Sequence, residues 1–240
     1  VGLLENEARA LNPGFISRMT RGRPYVRVKL AMSLDGRTAM ASGESKWISG
    51  AAARADVQLL RARSSALLTG LETVLVDDPQ LTARVPDGVD VIAPLRVVLD
   101  PRGVLPRSCR LLDGAAPTLV AHADDVVPDY GPRIEGFAVP RRGWHLDLPA
   151  VLAQLASRQI NEVQVEAGAR LAGAFLRAGL LDELVLYVAP VLLGERGRPL
   201  FAGLGLERLD ERIGFERTEV LAFDDGDLRL GYRFARSTRA

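Results

Sequence analysis

Residues 162–190, EVQVEAGARLAGAFLRAGLLDELVLYVAP, contain two apolar strands separated by an amphipathic helix. The first strand ends at Gly168, the helix has Leu171, Phe175 and Leu176 on one face, and the second strand, LVLYVAP, is continuously apolar. Such strands are typical of parallel sheets, because helices bury both of their faces. The stretch therefore predicts a β–α–β unit of an α/β domain.

Strands and helices alternate along most of the remaining chain. YVRVKLAM at 25–32 alternates apolar and polar side chains, which predicts a strand with one face in the core. Asp225-Gly226 separates two C-terminal apolar runs and indicates a hairpin. Other strands are expected at 65–70, 95–100, 118–122 and near 134–139, and helices at 148–159 and just before Pro79. The pattern predicts an α/β fold, with helices on both faces of a mostly parallel central sheet and an antiparallel C-terminal hairpin.

Another helix is predicted over residues 50–63. Ser49 is expected to be its N-cap, because a serine hydroxyl can accept from the first free backbone N–H groups. Ala53, Val57 and Leu60 recur at helical spacing, so we expect them to form its buried stripe.

The N-terminal residues look distinct from the body. Residues 3–11, LLENEARAL, are predicted to form a short helix, which Asn12-Pro13-Gly14 would stop. We therefore expect a tail or linker at residues 1–22 and one domain at residues 23–240. Because the chain starts at Val1, we also expect a preceding segment to be missing.

Composition narrows the class of protein. Of 240 residues, 31 are Lys or Arg and 30 are Asp or Glu, so the net charge of +1 argues against a nonspecific nucleic-acid binder. The single cysteine, Cys109, cannot form an internal disulfide and favours a cytoplasmic location. No apolar run reaches the roughly 20 residues of a membrane span, and no secretory signal is evident.

The most suggestive chemistry follows the strand that ends at Val165-Glu166-Ala167-Gly168. Ligands of open α/β sheets bind beyond the carboxyl ends of strands. Gly168 would let a phosphate approach the backbone at the start of the next helix, although from the spacing alone a strand-to-helix turn that needs glycine for packing is the commoner case. Glu166 is the sharper candidate, because an acid at the end of an apolar strand is costly unless it is paired or used.

Other candidates have ordinary alternatives. Thr73 and residues 77–79, Asp-Asp-Pro, follow the strand end at Thr69-Gly70, but the latter three also form a plain helix stop. Lys29 could be a solvated strand lysine. Arg61 and Arg84 are candidates for a phosphate or carboxylate. Trp47 could stack on a flat ring or be buried.

Several known kinds of site are not indicated. His122 and His145 are far apart and lack H-x-E or C-x-x-C context, so we expect no zinc site. Neither a G-x-S-x-G elbow nor a G-x-x-x-x-G-K-[ST] loop is present, which removes support for acyl transfer and ATP hydrolysis. The residues alone indicate a nucleotide or phosphate pocket.

Four stretches carry a family resemblance: 29–49 (KLAMSLDGRTAMASGESKWIS), 56–84 (DVQLLRARSSALLTGLETVLVDDPQLTAR), 95–100 (LRVVLD) and 160–194. Together they resemble the reductase domain of the bacterial bifunctional riboflavin-biosynthesis enzyme. In that family the reductase follows a zinc-dependent deaminase, whose end the first 22 residues resemble. The resemblance implies a dihydrofolate-reductase-like fold, NADPH as hydride donor and a homodimeric enzyme. It also implies reduction of 5-amino-6-(5-phosphoribosylamino)uracil to the ribitylamino product.

Site residues follow from the resemblance where the motifs match. It implies cofactor contacts at Ala31, Trp47, Thr73, Asp77, Gly168, Ala169, Arg170, Leu171, Ala172, Gly173 and Ala174. It implies substrate contacts at Ser45, Arg61, Leu81, Arg84 and Glu166. Pro101 stands where relatives can carry a hydroxyl residue, so Arg102 becomes the candidate for the NADP 2′-phosphate.

The expected chemistry is opening of the ribose to an imine or its equivalent, followed by hydride delivery to C1′. Lys29 and Glu166 are expected to move protons and stabilise charge there, while Asp77 positions the nicotinamide. Three alternatives remain open: a reductase acting on the diamino pyrimidine, a dihydrofolate reductase, and a non-catalytic binding module. The strand ELVLYVAPVLL could be a dimer interface or simply a core strand.

Overall fold

The computed structural model describes residues 4–5, 10–86, 90–132 and 134–234. Most of the helix predicted over residues 3–11 lies outside this part of the chain. Of its described residues, Glu5, Ala10 and Leu11 are helical and Leu4 lies in a turn. Asn12, where the predicted stop begins, is not helical.

Helices and strands alternate as predicted. The helices are α1 (Pro13–Arg21), α2 (Ala51–Ala62), α3 (Leu71–Asp77), α4 (Leu148–Ser157) and α5 (Ala169–Arg177). The strands are β1 (Tyr25–Ser33), β2 (Arg37–Ala39), β3 (Ala66–Gly70), β4 (Leu95–Leu99), β5 (Thr118–Ala123), β6 (Glu135–Val139), β7 (Arg141–Arg142), β8 (His145–Leu146), β9 (Glu162–Val165), β10 (Glu183–Ala189), β11 (Arg198–Pro199), β12 (Phe215–Ala222) and β13 (Leu228–Phe234).

Nine strands form one sheet in the order β12-β13-β10-β1-β9-β3-β4-β5-β6. The pairs β1–β10, β3–β4, β4–β5 and β5–β6 are parallel, whereas β10–β13 and β12–β13 are antiparallel. Gly226 lies in the turn between the last two strands with φ of 90°, a conformation that glycine adopts without strain. The predicted mostly parallel sheet with an antiparallel C-terminal hairpin is therefore confirmed.

The chain divides into two compact units. Unit 1 contains residues 1–26, 63–82 and 93–164, and unit 2 contains residues 27–62, 83–92 and 165–240. A hydrophobic cluster of unit 1 is formed by Leu67, Leu71, Val74, Leu81, Val98, Leu105, Cys109, Leu111, Val120 and Tyr130. A cluster of unit 2 is formed by Ala53, Val57, Leu60, Val185 and Tyr187. The assignment of residues 1–22 to a tail and of 23–240 to one domain stays a prediction.

α1 is a helix that the sequence reading missed. The Asn12 side chain accepts from the Phe15 N–H at 3.3 Å, and Pro13 occupies the first turn, where its missing N–H costs nothing. Gly14 packs within unit 1 so closely that an added Cβ would lie 2.5 Å from Cγ of Glu162. Asn-Pro therefore starts a helix here as well as ending the one before it.

The cap of α2 differs from the prediction. The Gly50 N–H donates to Asp227 Oδ2 at 2.7 Å, and the Ala52 N–H donates to Asp225 Oδ2 at 3.4 Å. The predicted cap, Ser49, instead accepts at its backbone carbonyl, from Arg54. Two carboxylates from the β12–β13 hairpin thus replace the local serine, and their negative charge suits a helix N-terminus. The predicted stripe of Ala53, Val57 and Leu60 is buried.

β10 is an interior strand. It pairs with β1 on one edge and β13 on the other, and all its residues from Leu184 to Ala189 are buried. This placement favours the core-strand interpretation over a dimer interface. In the part of the chain that the structure describes, no helix has the length and apolar character needed to cross a bilayer.

Candidate functional site

Lys29 lies on the central part of β1 in unit 2 and is partly buried. The same face of β1 carries Ala31, which is the register partner of Tyr187 on β10. The Lys29 Nζ lies 5.4 Å from the centroid of the Tyr187 ring. A freely solvated lysine, the alternative raised by the sequence, does not describe this position.

Glu166 directly follows β9 and forms a two-pronged ion pair with Arg61, the penultimate residue of α2. Arg61 Nε lies 2.7 Å from Oε1, and Nη2 lies 2.8 Å from Oε2. The two side chains are only 13% and 12% exposed. Such forked pairing is the strong form of an arginine–carboxylate contact and fixes the carboxylate plane. The acid at this strand end is therefore paired.

The electrostatics distinguish Lys29 from its neighbours. Burial lowers the pKa of Lys29, the Glu166 carboxylate opposes this by raising it, and the Arg61 cation lowers it. Because Arg61 already compensates the charge of Glu166, Lys29 gains only part of the attraction that a lone carboxylate would give. The net effect is a lowered pKa, so Lys29 gives up its proton more readily than an exposed lysine does.

The structure therefore brings together three residues that the sequence nominated separately: Lys29, Arg61 and Glu166. They come from a strand, a helix end and a strand end of unit 2 that are far apart in the chain. A cation able to lose a proton beside a fixed anion can serve proton transfer and stabilise a developing charge. Their individual roles remain predictions.

Ser45, Trp47 and Arg84 lie in loops of unit 2. Trp47 is 71% exposed, and its ring has the Arg54 guanidinium 5.0 Å from its centroid, so the buried alternative is wrong. The Arg84 backbone N–H donates to Gln58 Oε1 of α2 at 3.0 Å, which fixes that loop to the helix that carries Arg61.

The stretch from Gly168 to Ala174 forms the start of α5. Gly168 is the N-cap, no side chain caps this end, and an added Cβ at Gly168 would meet nothing within 4 Å. The space beside this backbone can therefore take a ligand group such as a phosphate. Gly173, by contrast, lies against the backbone of Ala202, whose N–H donates to the Ala169 carbonyl at 3.0 Å. Packing alone explains glycine at 173.

Thr73 and Asp77 lie on α3 of unit 1, and Leu81 follows. Asp78 ends the helix in the left-handed conformation, with φ of 39° and ψ of 57°, which confirms the predicted stop. Leu81 also has a positive φ, 48°, and its side chain is buried in the core of unit 1. Its backbone is therefore the part of Leu81 available for a ligand contact.

Arg102 follows the buried Asp100 in a turn of unit 1. Asp100 Oδ2 accepts from the Leu105 N–H at 2.8 Å and from the Tyr130 hydroxyl at 3.2 Å, so this carboxylate shapes the turn. Arg102 is exposed there. Its contact with a 2′-phosphate stays a prediction.

Metal-ligand geometry is not found in the described ranges, where no group of three or more His, Cys, Asp or Glu could hold an ion. The His122 side chain contacts the neighbouring backbone, with Nδ1 3.0 Å from the Ala123 carbonyl oxygen.

Sequence reasoning missed a polar network behind Lys29. Tyr187 was read as part of a core strand, yet its hydroxyl donates to Asp56 Oδ2 at 2.5 Å. Arg229 Nη1 lies 2.7 Å from both oxygens of the same carboxylate. The hint in the sequence was a tyrosine within the otherwise apolar run LVLYVAP, since a buried hydroxyl needs a partner.

Comparisons with known proteins agree on one family. Residues 24–226 match the model of the RibD C-terminal domain. The riboflavin biosynthesis protein RibD of Escherichia coli is 43% identical over 229 residues, which cover 91% of this chain and 62% of that protein. The chain thus spans about three-fifths of the length of the curated relatives it matches.

Solved structures give the same assignment. Acinetobacter baumannii RibD superposes with a TM-score of 0.86 at 41% identity, covering 98% of this chain and 65% of that one. A Thermotoga maritima protein, named a diaminohydroxyphosphoribosylaminopyrimidine deaminase/5-amino-6-(5-phosphoribosylamino)uracil reductase, superposes with a TM-score of 0.84 at 31% identity, covering 98% and 63%. With the family model matching most of the chain, this protein belongs to the RibD C-terminal domain family.

Proposed function

We propose that this chain reduces the ribosyl group of 5-amino-6-(5-phosphoribosylamino)uracil to the ribitylamino product, with NADPH as the reductant. The observation that carries the proposal is the placement of Lys29 beside the Arg61–Glu166 ion pair. A sugar carbon that accepts hydride needs nearby groups to move protons, and this cluster holds a cation and an anion in fixed positions.

The residues at the start of α5 fit the proposed cofactor. The open space beside Gly168 and the uncapped N–H groups of this helix suit a phosphate of the dinucleotide. Trp47, which is largely exposed, offers a flat surface for a ring. When bound, the cofactor supplies the hydride.

The chain's own residues would perform the remaining steps. Arg61 and Arg84 hold the polar groups of the substrate, and the pairing with Arg61 keeps the Glu166 carboxylate in one plane. As the C1′–O bond of the ribose ring breaks, Lys29 gives a proton to the released ring oxygen, and the exocyclic nitrogen, which keeps its N–H, forms a protonated imine with C1′. The Glu166 carboxylate stabilises the positive charge of this imine until hydride neutralises it. After hydride reaches C1′, the former ring oxygen remains as a hydroxyl of the open-chain ribityl group.

The test is NADPH oxidation with the purified pyrimidine, with the product identified by a mass gain of two hydrogens. Lys29→Ala and Glu166→Gln are each expected to lower kcat/KM by about 10²-fold or more, the usual contribution of a proton-transfer group. Glu207→Gln, the same change at an exposed carboxylate outside the strands, serves as the matched control. Full turnover by either site variant would refute the assigned roles.

The same assay decides the substrate. We expect the deaminated pyrimidine to be reduced at least tenfold faster than the 2,5-diamino pyrimidine. The opposite preference would assign the chain to the other order of deamination and reduction. Quenching of cofactor fluorescence without turnover of either pyrimidine would indicate a binding module.

The proposal includes a deaminase domain in the full-length protein, a cytoplasmic location and a homodimer. β12 is an edge strand of the sheet, and its residues from Glu216 to Ala222 are exposed, so its outer backbone groups are open to a second copy. Light scattering is expected to give the mass of a dimer, and Val220→Arg to shift it toward the monomer. A monomeric unaltered protein would contradict this part.

A further inference from the structure

A row of side chains crosses three strands of unit 2 on the face that carries Lys29. Tyr187 of β10 is the register partner of Ala31 on β1 and of Arg229 on β13. Register partners place their side chains on the same face of a sheet. α2 covers this face, because its buried residues Ala53, Val57 and Leu60 cluster with Tyr187.

Contacts to both the hydroxyl and the ring of Tyr187 hold its side chain in place. Its hydroxyl donates to Asp56 of α2, and Arg229 grips the same carboxylate through both oxygens. Arg229 Nη2 donates to Glu219 of β12 at 2.7 Å. The ring also stacks on Phe223, with centroids 6.3 Å apart and an interplanar angle of 18°. The orientation of the ring is thus set by three elements.

The fixed ring presents its face to the amine of Lys29. The 5.4 Å from Nζ to the ring centroid lies within the range of a cation–π contact. Donation of the hydroxyl to a carboxylate makes the ring richer in electrons, which strengthens its attraction for a cation. The other groups that act on Lys29 within unit 2 are Glu166, which favours its charged form, and Arg61, which opposes it.

We propose that Tyr187 is a positioning residue of the reductase site, whose ring, held by Asp56 and Arg229, keeps the Lys29 amine in place and stabilises its charged form. The proposal rests on the role proposed above for Lys29. It adds a reason why Lys29, though buried enough to have a lowered pKa, can still carry a proton. Tyr187 acts through Lys29 and is not itself required to contact the substrate.

The protonation of Lys29 can be followed directly by NMR, because the sequence contains two lysines, Lys29 and Lys46, and their signals are easily told apart. In protein labelled with ¹³C only at lysine, the side-chain resonances of both can be titrated without any activity measurement. In Tyr187→Leu, the midpoint for Lys29 is expected to fall by about half a pH unit to one pH unit, the size of a partly desolvated cation–π contact. Tyr187→Phe, which keeps the ring, is expected to show a smaller fall. The exposed Lys46 should not change.

Tyr130→Phe is the matched control, because Tyr130 is also a buried tyrosine whose hydroxyl donates to an aspartate, Asp100. If Tyr187 had a purely structural role, Tyr187→Phe and Tyr130→Phe would both lower the melting temperature, and the Lys29 midpoint would be unchanged in both. That result would overturn the proposal. Should Tyr187→Leu not fold, the unaltered protein still decides. Its Lys29 methylene protons must be shifted upfield by the ring, and ordinary shifts would overturn the proposal.

The reductase assay separates this inference from the proposed function. If both hold, Tyr187→Leu is expected to lower kcat about tenfold with the KM for NADPH unchanged. If the unaltered chain shows no turnover but the Lys29 midpoint still falls in Tyr187→Leu, the proposed function fails and the ring–amine contact stands. If turnover is normal and the midpoint does not move, only the role of Tyr187 fails.

Discussion

At the scale of single residues, the chemistry depends on how burial and pairing set the charge of Lys29. The sequence predicted Glu166 because an acid after apolar residues is costly, and the forked ion pair with Arg61 shows how that cost is offset. The sequence could not predict the contact between Lys29 and Tyr187, because it depends on the register of β10 against β1. Local patterns contain no information on that register.

The lowered pKa of Lys29 predicts a pH effect on stability. Because its pKa in the folded chain lies below the ordinary value of 10.5, the unfolded chain binds more protons between those two pKa values. Charged Lys29 therefore costs stability below the folded pKa, and this cost disappears as the pH rises to the unfolded value. Relative to Lys29→Met, the unaltered protein should gain stability between pH 7 and alkaline pH. Urea unfolding of both proteins measures this, and a constant difference would contradict it.

At the scale of elements, the sequence predicted most helices and strands but not what holds their ends. Hydrophobic periodicity predicted α2 and α5, since burial of one face decides those helices, and a continuous apolar run predicted β10, which is buried on both faces. The cap of α2 comes from Asp225 and Asp227, which are distant in sequence, so the local Ser49 was the wrong choice. α1 was missed because Asn12-Pro13 was interpreted only as a stop.

The hairpin cap predicts a specific loss of stability. Asp227 is 2% exposed and accepts the Gly50 N–H at 2.7 Å. Asp227→Ala is expected to lower the free energy of unfolding by about 1–2 kcal/mol, the value of an N-cap contact with a buried partner left unsatisfied. Asp224→Ala, at an exposed position of the same turn, should have little effect. Equal effects in thermal unfolding would argue against the cap.

Two glycines of the α5 region predict opposite outcomes. Gly173→Ala places a methyl group against the Ala202 carbonyl and is expected to cost about 1–3 kcal/mol of stability. Gly168→Ala meets open space at φ of −72° and should leave stability unchanged. Because the methyl group would occupy the proposed phosphate position, Gly168→Ala should raise the KM for NADPH about tenfold. An unchanged KM for NADPH would show that the phosphate does not bind beside Gly168.

At the scale of the whole molecule, the parallel sheet and the C-terminal hairpin followed from the sequence, but the order of the nine strands did not. That order depends on pairings such as β1 with β10, which join residues more than 150 positions apart. The division into two units was not predicted either. Residues 83–92 and 165–240 join residues 27–62 through contacts between distant parts of the chain, and the composition of the sequence does not change at these boundaries.

The contacts of Asp113 in unit 1 predict that the protein loses stability at low pH. The Asp113 carboxylate accepts from the Ala115 N–H, from Gln80 and from the fully buried Arg96, which together lower its pKa to about 2. Its stabilising contribution is present above the ordinary value of 3.8 and is lost as the pH falls toward 2. Asp113→Asn should therefore flatten the stability of the protein between pH 4 and pH 2. Parallel unfolding curves for the two proteins over that interval would contradict this.

The central claim is hydride transfer to the ribosyl carbon of the pyrimidine at the Lys29 site. It is tested most directly with NADPH that carries deuterium at the transferable position. The account predicts a ribitylamino product with one deuterium at C1′, formed by the unaltered chain and at least 10²-fold more slowly by Lys29→Ala. A product without deuterium at C1′, or equal rates in the two proteins, would contradict it.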